Sequence, residues 1–323
     1  MEYLRVPRLH RGIGARVWRA AEVVLPEFAI IAAANILRYT TRFGKRPNLR
    51  NPTTFNEKVL HRIIFDRDPV WARLQDKYAV RDYVRAKIGD HVLTRLHWMT
   101  TTPSDIPFDD LPVRFIVKPT HGSGWSRRVT NKAQIDRREL IETCESWLRQ
   151  NYYSIEREWV YKHIKPRILV EEYLSDHSGL DPIRYKIYVF HGRARVVHVG
   201  VGTPGHSRHG FYGRDWRKLP AHFVGIPEVE SNLRRPPHLD DMLRYAETLA
   251  DGFDFIRVDL YDTADRVCFG ELTVTPGGGA CVFSSWEFDR DLGAMWQLST
   301  RRKRGPSGEA GGSSRGTGCV TRP

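Results

Sequence analysis

Two strand-like stretches near the C-terminal end of the chain each carry an acidic residue at a position where the pattern favours an apolar one. The sequence RVDLYDTADRVCFGELTVTPGGG covers residues 257–279, with Asp259 in the first stretch and Glu271 in the second. A turn at 262–265 separates the two stretches, so the pattern predicts a β-hairpin. The two carboxylates would then face the same way on paired strands and would repel each other unless a cation lies between them.

This pair of carboxylates predicts a metal site. Mg²⁺ in proteins prefers one or two carboxylates and takes its other ligands from phosphate oxygens and water. The alternative is a pair of exposed acids on a solvated sheet face. The apolar neighbours Ile256, Val258 and Leu260 fit that alternative poorly. We therefore favour metal binding by Asp259 and Glu271.

The net charge of +13 does not by itself indicate a nucleic-acid-binding protein. Residues 1–50 and 301–323 together carry twelve of the thirteen excess positive charges, and residues 51–300 are almost neutral. The body of the chain therefore shows no basic face of the kind that binds nucleic acid. The basic ends are interpreted as solvated tails or as a contact with a membrane surface.

The size and composition allow one large domain or two lobes. The chain has 323 residues, of which 41% are hydrophobic. Its four cysteines form no C-x-x-C pair, which favours a reducing, cytoplasmic location. No signal-peptide pattern is visible, and the most apolar early run, residues 28–34, is too short to span a bilayer.

Periodicity and turn signals predict a chain of mixed α and β structure. Helices are predicted over residues 1–47, 137–151 and 239–251. A further helical region is predicted to begin within 51–58 and to continue through 71–88. At the start in 51–58, Thr53 or Thr54 is the predicted N-cap and Glu57 is placed to complete a capping box. Strands are predicted at 114–119, 167–174 and 184–201, the last a hairpin turning at His191 and Gly192.

The stretch FIVKPTHGSGWS combines a buried strand, a lysine and a glycine-rich turn. Lys118 ends the strand, and residues 122–124 read Gly-Ser-Gly. Small residues let backbone N–H groups approach a phosphate, and the lysine adds positive charge. The alternative is an ordinary β-turn next to a surface lysine, and this stretch alone does not decide between the two.

The stretch LVEEYL places two acids directly after a predicted strand. Glu171 and Glu172 could accept hydrogen bonds from an adenine amino group or from ribose hydroxyls. Taken alone, however, this pattern is better explained as a strand end that faces solvent.

Taken together, several stretches resemble the TupA-like (teichuronopeptide-biosynthesis) ATP-grasp family. They occur in order between residues 48 and 300: NPTTFNEK, QDKYAVRDYV, FIVKPTHGSG, REWVYKHIKPRILVEEYL, RYKIYVFHG and FIRVDLYD followed by FGELTVTPGGG. The resemblance implies an α+β protein with the ATP-grasp fold, in which two α+β lobes clamp ATP. We expect residues 1–47 to form a basic helical N-terminal extension. The composition predicts that residues 301–323 form a disordered tail.

The resemblance also implies a set of nucleotide-binding residues. Lys77 resembles the first phosphate-contacting lysine, on the helix before the central lobe, and Lys118 resembles the second. The lid over the phosphates would consist of Gly122, Ser123 and Gly124. The segment that meets adenine and ribose would contain Glu171, Glu172 and Leu174.

Further residues resemble the catalytic and metal-binding positions of the family. Lys186 resembles a basic residue near the phosphates, and Arg257 resembles the arginine that steadies the transferring phosphoryl group. Asp259 and Glu271 resemble the magnesium ligands. Thr273 stands where many ATP-grasp proteins carry an asparagine that also binds metal. A hydroxyl is a weaker ligand, which leaves the number of metal ions open.

The resemblance implies an ATP-dependent carboxylate–amine ligase that works through an acyl phosphate, with ATP and Mg²⁺ as cofactors. The expected partner is a carboxylate-bearing small molecule or glycan, in cell-surface polysaccharide or polypeptide biosynthesis. We expect a cytoplasmic protein, with a peripheral membrane contact through residues 1–47 as an option. Two alternatives stay open: an ATP-grasp sugar or polyol kinase, and a surface-associated scaffold with a degenerate nucleotide site.

The segment at 198–216 is rich in arginine, histidine and glycine. Arg208, His209 and Arg214 could meet an anionic substrate such as a uronate or glutamate carboxylate. A mobile surface loop explains the same composition equally well.

Overall fold

The computed structural model describes residues 25–176, 180–203, 206–230 and 233–299. The α-helices are α1 (Glu27–Phe43), α2 (Phe55–Phe65), α3 (Val70–Gln75), α4 (Val80–Ile88), α5 (Arg137–Arg149), α6 (Tyr152–Glu156), α7 (Leu239–Leu249) and α8 (Trp286–Ala294). Short 3₁₀ helices lie at Asp90–Val92, Pro103–Asp105, Lys132–Gln134, Trp159–His163 and Pro276–Gly279.

The strands form two antiparallel sheets. The first contains β1 (Leu96–Thr100), β2 (Phe115–Pro119), β3 (Arg127–Val129) and β4 (Ile168–Glu172), in the order β1-β4-β2-β3. The second contains β5 (Arg184–Phe190), β6 (Arg193–Val201), β7 (Arg208–Gly213), β8 (Phe255–Asp262) and β9 (Val267–Thr273), in the order β7-β6-β5-β8-β9. The predicted α+β class is confirmed.

Helix α1 packs against the rest of the described chain. Its Ile31 and Tyr39 belong to the same buried cluster as Phe55 of α2. The predicted extension falls partly on residues 1–24 and the predicted tail on 301–323, which lie outside the described residues. The boundary at residue 47 and the membrane contact therefore stay predictions. Within the described ranges, none of the helices has the length and apolar character needed to cross a bilayer.

Helix α2 begins as the sequence predicts. Thr54 is the N-cap and its hydroxyl accepts a hydrogen bond from the backbone N–H of Glu57, while the Glu57 carboxylate accepts from the Thr54 N–H. Two backbone donors at the helix start are thereby satisfied, so the predicted capping box is confirmed.

The helical stretch predicted through 71–88 is interrupted. Helix α3 ends at Gln75, where the Asp76 carboxylate accepts hydrogen bonds from the backbone N–H groups of Tyr78 and Ala79. A short polar side chain that bonds the backbone two or three residues later competes with the helix and produces a turn. Lys77 therefore lies in a turn between α3 and α4, and its predicted position on a helix is wrong.

The first sheet forms a small lobe with α5. Helix α5 covers one face of the sheet, and the buried cluster between them includes Phe115, Val117, Leu140, Cys144, Ile168 and Val170. The predicted strand at 114–119 is confirmed apart from its first residue, and the predicted helix at 137–151 is confirmed apart from its last two residues.

The second sheet carries different layers on its two faces. One face packs against α3, α4 and α7 through apolar residues, among them Ile187, Val189, Val258 and Leu243. The other face is apolar at one end, where Phe190 and Phe255 meet Phe55 and Trp296. Farther along the same strands this face carries Lys186 and Asp259, which are paired across β5 and β8.

Residues 208–213 form the edge strand β7, so the interpretation of 198–216 as a mobile loop is wrong for that part. The backbone of β7 pairs with β6 over 196–201, and the Val229 side chain lies against Gly210. A Cβ atom on Gly210 would lie 2.4 Å from a Val229 methyl group, so the glycine permits close packing there. Glycines at 210 and 213 obscure the strand pattern in the sequence because glycine is disfavoured in strands.

Arg62 of α2 binds the β8–β9 hairpin where its chain enters β8 and where it leaves β9. Its guanidinium donates to the carbonyl oxygens of Phe255 (2.9 Å) and Val274 (3.1 Å) and pairs with the carboxylate of Asp254. The Arg62 side chain is 3% exposed. The buried guanidinium of Arg62 thus fixes the hairpin that carries Asp259 and Glu271 to helix α2.

We expect Arg62→Met to lower the free energy of unfolding by about 3–5 kcal/mol, because the variant leaves a largely buried carboxylate and two carbonyl groups without a donor. Urea denaturation measures this loss. The matched control is Arg138→Met, which breaks an exposed pair with Glu142 and should cost less than about 1 kcal/mol. Equal losses in the two variants would contradict the role of Arg62.

Candidate active site

A cavity of about 340 Å³ lies between the two sheets. Every residue predicted for the nucleotide, catalytic and metal positions lines it except Gly122. These residues are Lys77, Lys118, Ser123, Gly124, Glu171, Glu172, Leu174, Lys186, Arg257, Asp259, Glu271 and Thr273. They come from both sheets and from the turn after α3, so the fold brings distant sequence positions to one place.

The β8–β9 hairpin places Asp259 directly opposite Glu271, and Arg257 directly opposite Thr273. The predicted pairing of the two acids on adjacent antiparallel strands is confirmed. A bulge follows the Asp259–Glu271 pair, and Gly270 lies within it. A Cβ atom at Gly270 would lie 2.9 Å from the Asp259 carbonyl oxygen, so a larger residue would push the bulge out of place.

A cation does lie between the two carboxylates, and it is the guanidinium of Arg257. Its Nε and Nη2 donate to the two oxygens of Asp259 at 2.6 and 2.7 Å. Nη2 also donates to Glu271 Oε1 at 3.1 Å and to Thr273 Oγ1 at 2.9 Å. The expected cation between the two acids is therefore an arginine two residues before Asp259 on the same strand, so the ligand-free protein does not require a metal ion there to offset their repulsion.

The surrounding cations set the charge of these acids. Burial acts to raise the pKa of Glu271, but Arg257 and two lysines outweigh burial, so the pKa lies below its usual value. Burial raises the pKa of Asp259, and Arg257 and Lys186 act against that rise. Glu271 is therefore a carboxylate at neutral pH and is able to bind a cation.

Three lysines surround the paired acids. Lys186 Nζ lies 3.8 Å from Asp259 Oδ2, and Lys118 Nζ lies 2.7 Å from Glu171 Oε2. Lys77 donates a hydrogen bond to the carbonyl oxygen of Gly122. Burial lowers the pKa values of Lys77 and Lys186 to about 8, so both are still mostly protonated at neutral pH.

The glycine-rich turn at 120–126 folds back over its own tryptophan. A Cβ atom on Gly122 would lie 2.3 Å from the Trp125 ring, and Gly124 has a φ of 73°, which favours glycine. Ser123 and Gly124 face the cavity, whereas Gly122 takes part only through its carbonyl oxygen and Lys77. The glycine-rich turn predicted from the sequence is confirmed. Gly122 is required by the close Trp125 ring, and Gly124 by its positive φ.

Glu171 and Glu172 line the cavity, but both carboxylates already have partners. Glu171 is 4% exposed and accepts a hydrogen bond from Thr94 in addition to its ion pair with Lys118. Glu172 pairs with Arg266 at 2.9 Å. Ligand groups that meet this segment must therefore share these acids with basic residues or use the backbone.

The arginines of the segment 198–216 do not reach the cavity. Arg214 pairs with Glu247 of α7, and Arg208 donates to the backbone carbonyl of Glu228. His209 is buried beside His198, with His198 Nε2 and His209 Nδ1 2.6 Å apart. None of Arg208, His209 and Arg214 lines the cavity, so the cavity gives no support to their predicted contact with an anionic substrate.

Several cavity residues carry no assignment in the sequence-based prediction. They are Gln75, Tyr161, Arg184, His198, Glu158 and Thr275. Arg184 could have been found, because it lies two residues before Lys186 and shares its face of β5. Glu158 and Tyr161 follow the short helix α6. The sequence there shows no helical or strand periodicity from which their position in the cavity could be predicted.

The donor set at the hairpin fits one Mg²⁺ ion that is completed by other ligands. Among the described residues, no three acidic, histidine or cysteine side chains come together as a metal cluster. The hairpin offers two facing carboxylates and a threonine hydroxyl, all bonded to Arg257 in this structure. One or two carboxylates are what Mg²⁺ takes from a protein when phosphate and water supply the other ligands. Asp259, Glu271 and Thr273 thus fit the group that the resemblance implies.

A family model described as TupA-like ATPgrasp matches residues 57–297, which is more than half of the chain. The search of curated proteins by sequence found no match.

Solved structures give more distant similarities. D-alanine–D-alanine ligase from Bacillus anthracis complexed with ATP is 15% identical, with 64% of this chain and 55% of that chain covered and a TM-score of 0.38. D-alanine–D-alanine ligase from Helicobacter pylori is 14% identical, with 71% of this chain and 60% of that chain covered and a TM-score of 0.40. The ATP-grasp ligase PsnB complexed with minimal precursor is 13% identical, with 64% of this chain and 55% of that chain covered and a TM-score of 0.37. The chain therefore spans between 55% and 60% of the length of these three chains.

We expect Asp259→Asn to lower the free energy of unfolding of the ligand-free protein by about 3 kcal/mol, because it removes the bidentate partner of a buried guanidinium. Glu271→Gln should cost about 1 kcal/mol, since Glu271 takes a single, longer hydrogen bond from Arg257. Urea denaturation without nucleotide or metal gives both values. An Asp259→Asn variant as stable as the wild type would mean that the acids repel and that Arg257 does not compensate them.

Proposed function

The chain belongs to the TupA-like ATP-grasp family, and on that premise we propose that it is an ATP-dependent ligase that joins a carboxylate to an amine through an acyl phosphate. The observation that carries the proposal is the cavity between the sheets. It combines the facing pair Asp259 and Glu271 with Lys77, Lys118 and Lys186. Phosphoryl transfer requires charge neutralisation and alignment more than covalent help, and this set provides both.

In this proposal Asp259, Glu271 and Thr273 hold Mg²⁺, which when bound neutralises phosphate charge and aligns the transferred group. The three lysines bind the phosphate oxygens of ATP. Negative phosphate groups favour the protonated form of a buried lysine, so nucleotide binding raises the pKa values of Lys77 and Lys186 above their present value of about 8. Glu171, Glu172 and Leu174 lie on the part of the cavity assigned to adenine and ribose.

Arg257 stabilises the transferred phosphoryl group in the proposed reaction. In the ligand-free protein its guanidinium is bonded to Asp259 and Thr273. Mg²⁺ bound to these residues would compete for the same oxygens and free donors of Arg257 for the phosphoryl group.

The turn at 120–126 is proposed as the lid over the phosphates. Lys77 contacts the carbonyl of Gly122, so a phosphate that attracts Lys77 also changes the contact that holds the turn. Closure of this turn excludes water, which would otherwise hydrolyse an acyl phosphate.

The substrate proposal is a carboxylate-bearing small molecule or glycan, in cell-surface polysaccharide or polypeptide biosynthesis. It rests on the family and on the cationic lining that Arg184, Lys186 and Arg257 give to one part of the cavity. A cytoplasmic location and a peripheral contact with the membrane belong to the same proposal.

The test is ADP release with acceptors and donors that carry one reactive group each. Uronic acids and N-acetylated amino acids supply the carboxylate, and amino acid amides supply the amine. We expect ADP release that requires both partners for sustained turnover and yields one amide for each ADP.

ADP release that depends on a neutral hexose or polyol, with neither carboxylate nor amine present, would identify a kinase instead. Binding of an ATP analogue with no ADP release under any of these conditions would favour a scaffold. Either result contradicts the ligase proposal.

A further inference from the structure

An amide-forming ligase needs a base as well as cations. The acceptor amine is an ammonium ion at neutral pH and must lose a proton before its nitrogen can attack an acyl phosphate. Among the residues predicted from the sequence, Lys77 and Lys186 are mostly protonated at neutral pH, with pKa values of about 8. The predicted acids are all held in ion pairs, so none of the predicted residues is a free base. The following inference rests on the proposed ligase function and concerns this missing group.

Seven acidic side chains of the described residues line the cavity, and six of them form ion pairs. Glu156 pairs with Arg38, Glu171 with Lys118, Glu172 with Arg266, Asp181 with Arg128, and both Asp259 and Glu271 with Arg257. Glu158 is the seventh, and among the described residues it has no ion-pair partner. It accepts a hydrogen bond from the hydroxyl of Thr275.

The chain geometry places Glu158 directly after the end of helix α6 and on the wall of the cavity. Arg157 before it has a φ of 55°, an uncommon conformation for a residue other than glycine, and ends helix α6 there. Such strain is often found where a functional side chain must be aimed. Tyr161 lies one 3₁₀ turn further on, is close enough to interact electrostatically with both Glu158 and Glu271, and accepts a hydrogen bond from Gln75.

The surroundings of Glu158 leave it partly protonated at neutral pH. Burial raises its pKa to about 7; Arg38 and the hydrogen bond from Thr275 lower the pKa, and Glu156 raises it. The side chains of Tyr152 and Tyr161 also face it, and burial raises both of their pKa values, so they stay neutral. A base works best when its pKa lies near the working pH.

We propose that the carboxylate of Glu158 binds the ammonium group of the acceptor substrate and accepts its proton. The carboxylate substrate first attacks the γ-phosphorus of ATP, which forms the acyl phosphate and releases ADP. Glu158 takes one proton from the ammonium ion. The amine nitrogen attacks the acyl carbon, the C–N bond forms, and the C–O bond to phosphate breaks with its electron pair leaving on phosphate. The second amine proton leaves with the phosphate, and Glu158 returns its proton to solvent.

The acceptor class is therefore a primary amine that enters as a cation. Glu158 lines the cavity and accepts a hydrogen bond from Thr275, and the residues 277–278 that follow Thr275 line the cavity as well. The proposed amine subsite is this part of the cavity wall.

The test uses two acceptors in ADP release with the carboxylate panel. Hydroxylamine is uncharged at neutral pH and needs no base, whereas an amino acid amide arrives largely as ammonium. Glu158→Gln keeps the hydrogen bond from Thr275, because the amide oxygen accepts it. We expect this variant to lose about 100-fold or more with the amine and to stay within about threefold of wild type with hydroxylamine.

Glu156→Gln is the matched control, since it removes an acid two residues away and leaves Glu158 in place. It should retain amine-dependent turnover. Loss of Glu156 lowers the pKa of Glu158, so the rise of amine-dependent kcat/KM with pH should move to lower pH. Equal losses with both acceptors in Glu158→Gln, or the same amine-specific loss in Glu156→Gln, would overturn the assignment.

A second measurement does not depend on turnover. The infrared difference between wild type and Glu158→Gln should contain a protonated carboxyl band that disappears as the pH rises through about 7. Absence of this titrating band overturns the inference even if the ligase proposal stands. Presence of the band without ADP release from any acceptor pair would instead contradict the ligase proposal, and with it the assignment of Glu158 as its base.

Discussion

The guanidinium of Arg257, held between two carboxylates on one β-hairpin, is the interaction on which the rest of the site depends. Burying Asp259 and Glu271 side by side would be costly without a cation between them, and Arg257 supplies that cation from the same strand. The arrangement is possible because the hairpin is in register at this pair and because Gly270 absorbs the bulge beside it. Arg62 then anchors the two ends of the hairpin to α2.

Ion pairing also divides the cavity into regions with different chemistry. Around the hairpin and β5, basic side chains outnumber the acids and suit phosphate groups. Toward α6, Glu158, which has no ion-pair partner among the described residues, gives the cavity an acidic edge, whereas Glu156 is neutralised by Arg38. A reaction that joins an anion to a cation requires both kinds of surface within one enclosure, and here the second sheet and the segment after α6 provide them.

Much of this architecture could be predicted from the sequence, because local rules decide it. Alternation along β5, β6, β8 and β9, the turn at His191 and Gly192, and the capping box at Thr54 follow from short patterns. The facing of Asp259 and Glu271 follows from the same period. The family model supports the ATP-grasp fold that the motifs indicated.

The rest depends on the particular contacts that individual side chains and strands make, which the patterns do not specify. Lys77 leaves its predicted helix because the Asp76 side chain bonds the following backbone, which a helical period does not reveal. Strand β7 forms because β6 offers it an edge, in spite of its glycines. Arg257 lies only two residues from Asp259, but the sequence does not show that its guanidinium turns onto the two acids. The surroundings of Glu158 depend on distant pairing, since Arg38 binds Glu156 across more than a hundred residues, and such pairing does not follow from spacing.

The most direct test of the central claim, that Asp259 and Glu271 share one Mg²⁺ with ATP, is titration calorimetry of a non-hydrolysable ATP analogue with and without Mg²⁺. The account predicts tighter binding with Mg²⁺ for the wild type. For Glu271→Gln it predicts binding of the analogue that Mg²⁺ does not strengthen. A Glu271→Gln variant with the full Mg²⁺ effect, or a wild type that gives no binding heat at millimolar concentrations, would contradict the account.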